Sequence, residues 1–348
     1  MVPESRGYIA ELDGLRAVSV LSVIACHTMP LAPGGFLGVD VFFVLSGFLI
    51  TRILLAEHHQ YGSIDILNFY MRRILRLMPA FYLMLIAILG FLVLTSQNSR
   101  LNIDTVFVSA LYVMNWTRAF STGHDGFLGH AWSLAVEEQF YLIWPLLLAA
   151  LLALVGRRHL PKAILSLLAA IVTWRCILIA SGADPMRIYN GTDTRIDTLL
   201  VGALLAANTV SFDPKLVGRL ALASGLGLAT LVPILPWQNQ VLQSVGFTVI
   251  AAMAGSIIMW AASSPSSAAG ATLRTAPLVG LGRISYGVYL WHYPLLTLFL
   301  PGLVNAPPLL RFGYVAGASI LIATVSFIVV ERPCLRVKRR FASPAPAS

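Results

Sequence analysis

Arg16 and His27 lie eleven residues apart in the apolar segment AELDGLRAVSVLSVIACHTMPL, and apart from the Cys26 thiol they are the only ionisable side chains between Arg16 and Val39. At 100° per residue, eleven residues return to about 20° past three turns, so on a helix both side chains share one face, roughly 16 Å apart along its axis. A guanidinium holds anions at any working pH, whereas an imidazole, with an ordinary pKa of about 6.5, can take up and return a proton. An imidazole inside a membrane span is costly to keep there and reads as functional.

Three further groupings could do chemistry. In SIDILNFYMRRILRLMP, Leu67, Met71, Ile74, Leu75 and Met78 recur at helical spacing while Arg72, Arg73 and Arg76 share the opposite face. Such an amphipathic helix either anchors to lipid headgroups or offers guanidinium forks to a phosphorylated ligand. Glu137 and Glu138 are adjacent carboxylates in HAWSLAVEEQFYLIWP, and adjacent helical residues point about 100° apart, so one of them at most faces a path shared with His27. Asp40 opens the second apolar run, where it either caps the helix start or meets His27 across a short turn. Arg195 and Asp197 read as an outer-surface ion pair or as substrate contacts, and His292, beside Tyr286, Tyr289 and Trp291, as an interfacial histidine or an acceptor contact. Gly38, Ser46 and Gly47 suit close helix packing, and Glu331 with Arg332 and Pro333 suits a helix-end ion pair.

The elements that must position these residues are set by composition. Hydrophobic residues make up 57% of the chain and charged ones 11%, and apolar runs near twenty residues recur throughout. Those runs match a hydrocarbon core of about 30 Å, so the expected fold is all-α, a polytopic membrane helical bundle. Expected spans are 17–33, 36–55, 79–95, 132–154, 162–180, 195–210, 214–234, 240–262, 278–300 and 308–330. The stretch Thr105 to Trp116 is shorter. If it does not cross, the basic segments around Arg52 to Arg76, Arg157 to Lys162, Lys215 with Arg219, Arg274 with Arg283, and Arg332 to Arg340 all fall on the side of Arg6 and Arg16, which the positive-inside rule makes the cytoplasm. The expectation is therefore ten transmembrane helices with both termini cytoplasmic, and a re-entrant or interfacial helix at Thr105 to Trp116.

The first run, followed at once by a second full-length run, does not read as a removable signal peptide. The domain organisation expected is one membrane domain over 1–336 and a basic, then disordered, tail over 337–348. The net charge of +9 clusters at the ends of apolar runs, which excludes a nucleic-acid partner. Cys26, Cys176 and Cys334 give no spacing for a disulfide framework or a metal site.

Six stretches together resemble the integral-membrane acyltransferase-3 family, which acylates extracytoplasmic glycans and some secondary metabolites. They are LDGLRAVSVLSVIACH, GFLGVDVFFVLSGFLIT, the arginine motif at Arg73 and Arg76, WSLAVEEQFY, RIDTLLVGALLA, and SYGVYLWHYPLL followed by ERP, in the family's order from Ala10 to Pro333. The resemblance implies a multi-pass enzyme of the cell inner membrane with no tightly bound cofactor and an acyl-CoA co-substrate, acetyl-CoA by default. It implies that Arg16 and His27 are the family's essential arginine and histidine. The esterase-like domain that follows the last span in larger members is missing from this sequence, so the membrane domain is expected to act alone.

The mechanism expected on that basis docks a phosphorylated donor at Arg73 and Arg76, with Arg72 or Arg16 assisting, and brings its acyl thioester to His27. His27 takes the proton of a hydroxyl on a glycan, glycolipid or natural product, while Glu137, Glu138 or Asp40 orients the ring. Arg195, Asp197 and His292 are the acceptor-side candidates. The competing expectation is a proton- or anion-coupled transporter built on the same intramembrane charges. The outer loops specify neither the acceptor nor the oligomeric state.

Overall fold

Apolar segments within a bilayer must satisfy their own backbone hydrogen bonds, and the helix does so within a single segment. The computed structural model describes residues 8–97, 99–123, 126–208, 213–263, 266–299, 301–338 and 341, and among these residues there is no β-strand. Arg6, Arg339, Arg340 and the end of the chain expected to be disordered lie outside the described residues. Among the described residues, five helical segments are long and apolar enough to cross a membrane: Pro33–Tyr61, Ile66–Leu94, Ala131–Ala180, Leu242–Ala262 and Pro308–Val337.

In chain order the helices are α1 (Ala10–Thr28), α2 (Leu37–Tyr61), α3 (Ile66–Leu94), α4 (Arg100–Ala110), α5 (Met114–Ala119), α6 (Ala131–Ala180), α7 (Pro185–Asn190) and α8 (Thr192–Ala207). They continue as α9 (Pro214–Leu231), α10 (Phe247–Ala262), α11 (Ala268–Leu273), α12 (Ala276–Arg283), α13 (Ser285–Pro294), α14 (Pro308–Ser326) and α15 (Arg332–Lys338). Wider π-type turns at Leu295–Phe299 and Phe327–Glu331 extend α13 and join α14 to α15.

One expected boundary is corrected. The arginine-bearing amphipathic segment is not a separate surface helix: it runs unbroken into the third apolar run as α3, because Asp65 caps its start by accepting from the Asn68 amide at 3.0 Å and Pro79 is carried within the helix. The fourth and fifth expected spans are two helices that meet at Gly156, whose φ of 70° and ψ of 169° lie outside helical geometry; the pair is labelled together as α6. A straight helix of 50 residues would be about 75 Å long, more than twice the hydrocarbon thickness. The kink has a positive φ, which glycine adopts without steric cost. Thr105 to Trp116 divides between α4 and α5; at 11 residues α4 is only about 16 Å long, too short to cross.

The centre of the bundle is α2 against α8, with α6 and α10 packed alongside. A Cβ on Gly47 would sit 1.9 Å from the Leu199 carbonyl oxygen and one on Gly202 would sit 2.1 Å from that of Val44, so the two backbones approach to a distance that only glycine permits. On the other flank α1 packs against α12, α2, α13 and α14, which brings His27 beside the end of α13.

Candidate active site

Along α2 the residues that line a cavity of 1920 Å³ run from Val39 to Gln60. At 1.5 Å per residue that is about 31 Å of helix, the depth of a hydrocarbon core. The cavity lining carries guanidinium groups from five elements: Arg16 on α1, Arg52 on α2, Arg72, Arg73 and Arg76 on α3, Arg157 on α6 and Arg283 on α12. The Val39 end is lined by Phe42, Phe43, Ser133 and Tyr289.

The expected donor arginines thus line one cavity, each with different local contacts. Arg72 is committed to structure, bonding Glu57 at 3.0 Å and the Phe341 carbonyl at 2.8 Å. Arg73 lies over the Tyr141 ring at 5.0 Å and the Phe69 ring at 5.7 Å. Arg16 meets Asp13 at 3.4 Å, a long contact, and Arg76 lies within electrostatic range of Arg16, Arg73 and Asp13. Among the described residues, Arg73 and Arg76 make no ion pair within 4 Å, although Glu137 and Glu138 lie within electrostatic range of Arg73 and Glu331 of Arg76. At the mouth, the Tyr8 hydroxyl donates to Asp13 at 2.6 Å and accepts from Arg283 at 3.1 Å. Burial, then the bond to the Asp13 carboxylate, raises the Tyr8 phenol above its ordinary value.

The carboxylates depart from expectation. Glu137 lines the cavity, where it accepts from the Ser46 hydroxyl and from Tyr141 at 2.9 Å and faces Arg73 and Arg16, not His27. Ser46 is accordingly a cavity residue and not a packing position. Glu138, half-buried, has Glu137 and Arg73 as its electrostatic neighbours. Asp40 does not meet His27 across the turn: it is fully buried against Arg195 at 2.6 Å. Arg195 in turn lies 3.5 Å from the Phe247 ring centroid and 5.3 Å from that of Tyr189. Asp197 pairs with Arg175 at 2.8 Å, and the Thr248 hydroxyl donates to it at 2.5 Å. Arg195 and Asp197 are therefore interior residues of two separate ion pairs, not an outer-surface pair. Glu331 is buried on the cavity wall within electrostatic range of Arg76, with the Ser326 hydroxyl donating to it at 3.3 Å, so the helix-end ion pair with Arg332 gives way to a cavity contact.

His27 lies beyond the Val39 end of the cavity and is solvent-exposed. Its ring meets His292 at 5.5 Å and Tyr293 at 5.0 Å between centroids, and His130 meets His292 at 5.3 Å. The cavity ends against this cluster, because Tyr289 shares a 2.6 Å hydrogen bond with Ser133 and donates to the His130 carbonyl at 3.1 Å. Arg118 on α5, whose Nε donates to Asn190 at 3.1 Å, is the guanidinium within electrostatic range of His27 and His130. Among the described residues no group of three or more His, Cys, Asp or Glu is placed to hold a metal ion.

The family model of the acyltransferase domain matches residues 9–331 of this chain, from the start of α1 to Glu331. The chain belongs to the acyltransferase-3 family. It is similar to the peptidoglycan O-acetyltransferase OatA of Listeria monocytogenes serovar 1/2a, at 37% identity over 94% of the chain and 56% of the relative. It is also similar to the putative peptidoglycan O-acetyltransferase YrhL of Bacillus subtilis, at 36% identity over 94% of the chain and 55% of the relative. The O-acetyltransferase OatA of Staphylococcus aureus is 34% identical over 94% of the chain and 57% of its own length. The chain spans little more than half the length of these curated relatives. No solved structure matches it.

Several residues of this acyltransferase domain escaped sequence reasoning. His130 precedes α6 as its N-terminal flanking residue, where helical periodicity carries no information about its direction. Arg118 sits in a six-residue helix that hydropathy reads only as part of a short apolar stretch. The available signal was composition: a histidine and an arginine in segments expected at the same membrane surface as His27.

Proposed function

We propose that this domain is a membrane O-acyltransferase of the cell envelope that moves an acetyl group from cytoplasmic acetyl-CoA to a hydroxyl of an extracytoplasmic glycan, with His27 as general base. The observation that carries the reading is the cavity: guanidinium groups from five elements line it, its Val39 end abuts the histidine cluster, and it is larger than the roughly 300–1,000 Å³ of ordinary ligand pockets. Such a shape suits a long donor with phosphates at one end and a thioester at the other. Peptidoglycan is the preferred acceptor because that is what the relatives' names specify.

Arg73 and Arg76, with Arg16, hold the donor phosphates by bidentate, charge-assisted hydrogen bonds. The pantetheine arm then lies along α2 toward Ser133 and Tyr289. At the far end His27 takes the proton from the acceptor hydroxyl as its oxygen attacks the thioester carbonyl. The tetrahedral oxyanion is stabilised by the Arg118 guanidinium. Collapse breaks the carbon–sulfur bond, and the departing thiolate takes up a proton, leaving ester and free thiol. Among the described residues no carboxylate is placed at His27, so the proposed proton transfer relies on the imidazole; such assistance is typically worth roughly 10² to 10⁴ in rate.

The ten-span topology with cytoplasmic termini belongs to the same proposal, since it places the donor arginines inside and His27 outside. The decisive assay uses purified protein in liposomes loaded with acetyl-CoA and given an external glycan. The expected result is acceptor-dependent release of free thiol with formation of an ester. Solute flux without chemical change would favour the transporter instead.

A further inference from the structure

His130 and His292 each hold a bare, buried nitrogen whose tautomer the backbone decides. His130 Nε2 lies 3.0 Å from the Leu290 carbonyl and His292 Nδ1 lies 2.6 Å from the Tyr289 carbonyl. A carbonyl oxygen only accepts, so both of those nitrogens carry the hydrogen, and in the neutral rings His130 Nδ1 and His292 Nε2 present lone pairs. Both lone-pair nitrogens are buried with no partner among the described residues, on side chains of residues 4% and 0% exposed. Two unsatisfied acceptors in one cluster are expensive in the interior and need a ligand to account for them.

We infer that His130 and His292 form the acceptor subsite, in which His130 Nδ1 and His292 Nε2 receive the hydrogens of neighbouring sugar hydroxyls and so hold the reacting hydroxyl against His27. This rests on the acyltransferase reading and narrows its acceptor to a polyhydroxyl ring. The two imidazoles stand with centroids 5.3 Å apart and planes at 79°, which separates the lone pairs in direction and suits two hydroxyls on one ring better than one shared group. Tyr293, half-buried, covers the cluster, its ring lying 5.0 Å from that of His27, 5.3 Å from His130 and 6.1 Å from His292. A sugar entering the proposed subsite must displace this ring. Because both nitrogens can only accept, the subsite selects hydroxyl donors and rejects ether or ester oxygens at the same positions. A sugar already esterified at either hydroxyl is thereby refused.

The test compares cells carrying the wild-type gene, a gene deletion, and variants at the two histidines, at matched amounts of protein in the membrane, with glycan esters counted by mass spectrometry. His130→Leu and His292→Leu remove the acceptors, while His130→Asn and His292→Gln keep an oxygen near the δ and ε positions respectively. Each leucine variant is expected to lower ester content roughly tenfold, the usual size of a lost specific hydrogen bond at a buried site. Binding of acetyl-CoA to the purified protein should stay at the wild-type level, and the amide variants should recover most of the ester. Wild-type ester levels in the leucine variants, or amide variants no better than leucine, would overturn the inference while leaving the acyltransferase reading intact. A deletion strain that keeps all its glycan esters would instead remove that reading, and the subsite with it.

Discussion

Arg195 donates to Asp40 at 2.6 Å across 155 residues of sequence, and both side chains are excluded from solvent. The pair joins α8 to the start of α2 under the rings of Phe247 and Tyr189. A carboxylate that sequence alone offers to His27 is thus a strut of the bundle. Breaking a buried pair leaves one uncompensated charge, at a cost of roughly 3–5 kcal/mol. Asp40→Ala is expected to lower the thermal midpoint and yield of the detergent-solubilised protein sharply, and Asp40→Leu combined with Arg195→Leu to recover much of the loss. Equal midpoints for Asp40→Ala and wild type would show that the pair contributes no stability.

His27→Ala should abolish acetyl transfer, with a loss of roughly 10² to 10⁴, while the protein still inserts and binds acetyl-CoA. Thiol release with acceptor present, alongside a binding isotherm for the donor, separates the two effects. Retained transfer would remove His27 from the chemistry.

Arg73→Ala and Arg76→Ala should each weaken acetyl-CoA binding by roughly tenfold or more, a charge-assisted hydrogen bond being worth about 1.5–3 kcal/mol. Arg73 stacks on Tyr141, so Arg73→Lys, which keeps the charge but loses the planar contact, should restore little. Titration with acetyl-CoA at two ionic strengths checks this, and donor affinity unchanged in both alanine variants would sink the docking scheme.

Gly47→Ala and Gly202→Ala place a methyl group about where the facing helix has a carbonyl oxygen, 1.9 and 2.1 Å away. The backbones of α2 and α8 must then separate, with an expected cost of roughly 1–3 kcal/mol each, as for other overpacked interiors. Thermal unfolding in micelles reads the effect. Gly90→Ala is the control, since a Cβ there meets nothing within 4 Å, and its midpoint should match wild type.

Reporters fused after Arg158 and at Ser348 should both give cytoplasmic signals. An external signal at either site would invert the donor and acceptor ends of the cavity.

How much was legible follows the range of the interaction. The apolar runs specify helices because hydrocarbon leaves the backbone no other partners, and this needs only the local sequence. The spacing of Arg16 and His27, and the clustering of Arg72, Arg73 and Arg76, are likewise properties of a single helix. Even there the boundary between surface helix and span was misplaced, because α3 is continuous and hydropathy registers the change of environment, not a break in the chain.

Partner choice was decided by the tertiary structure alone. Glu137 could have faced His27 or an arginine; the rotation of α6 against α2 turned it to Ser46 and into the cavity. Asp40 went to Arg195 and Asp197 to Arg175, each a choice among several basic residues that composition ranks equally. His130 reached His292 only because the start of α6 lies beside the end of α13, the two histidines being 162 residues apart in the chain. A helix buried on most sides has no single apolar face, so periodicity cannot report its rotation. The sequence determined which polar groups enter the membrane; packing of the helices decided which of them meet.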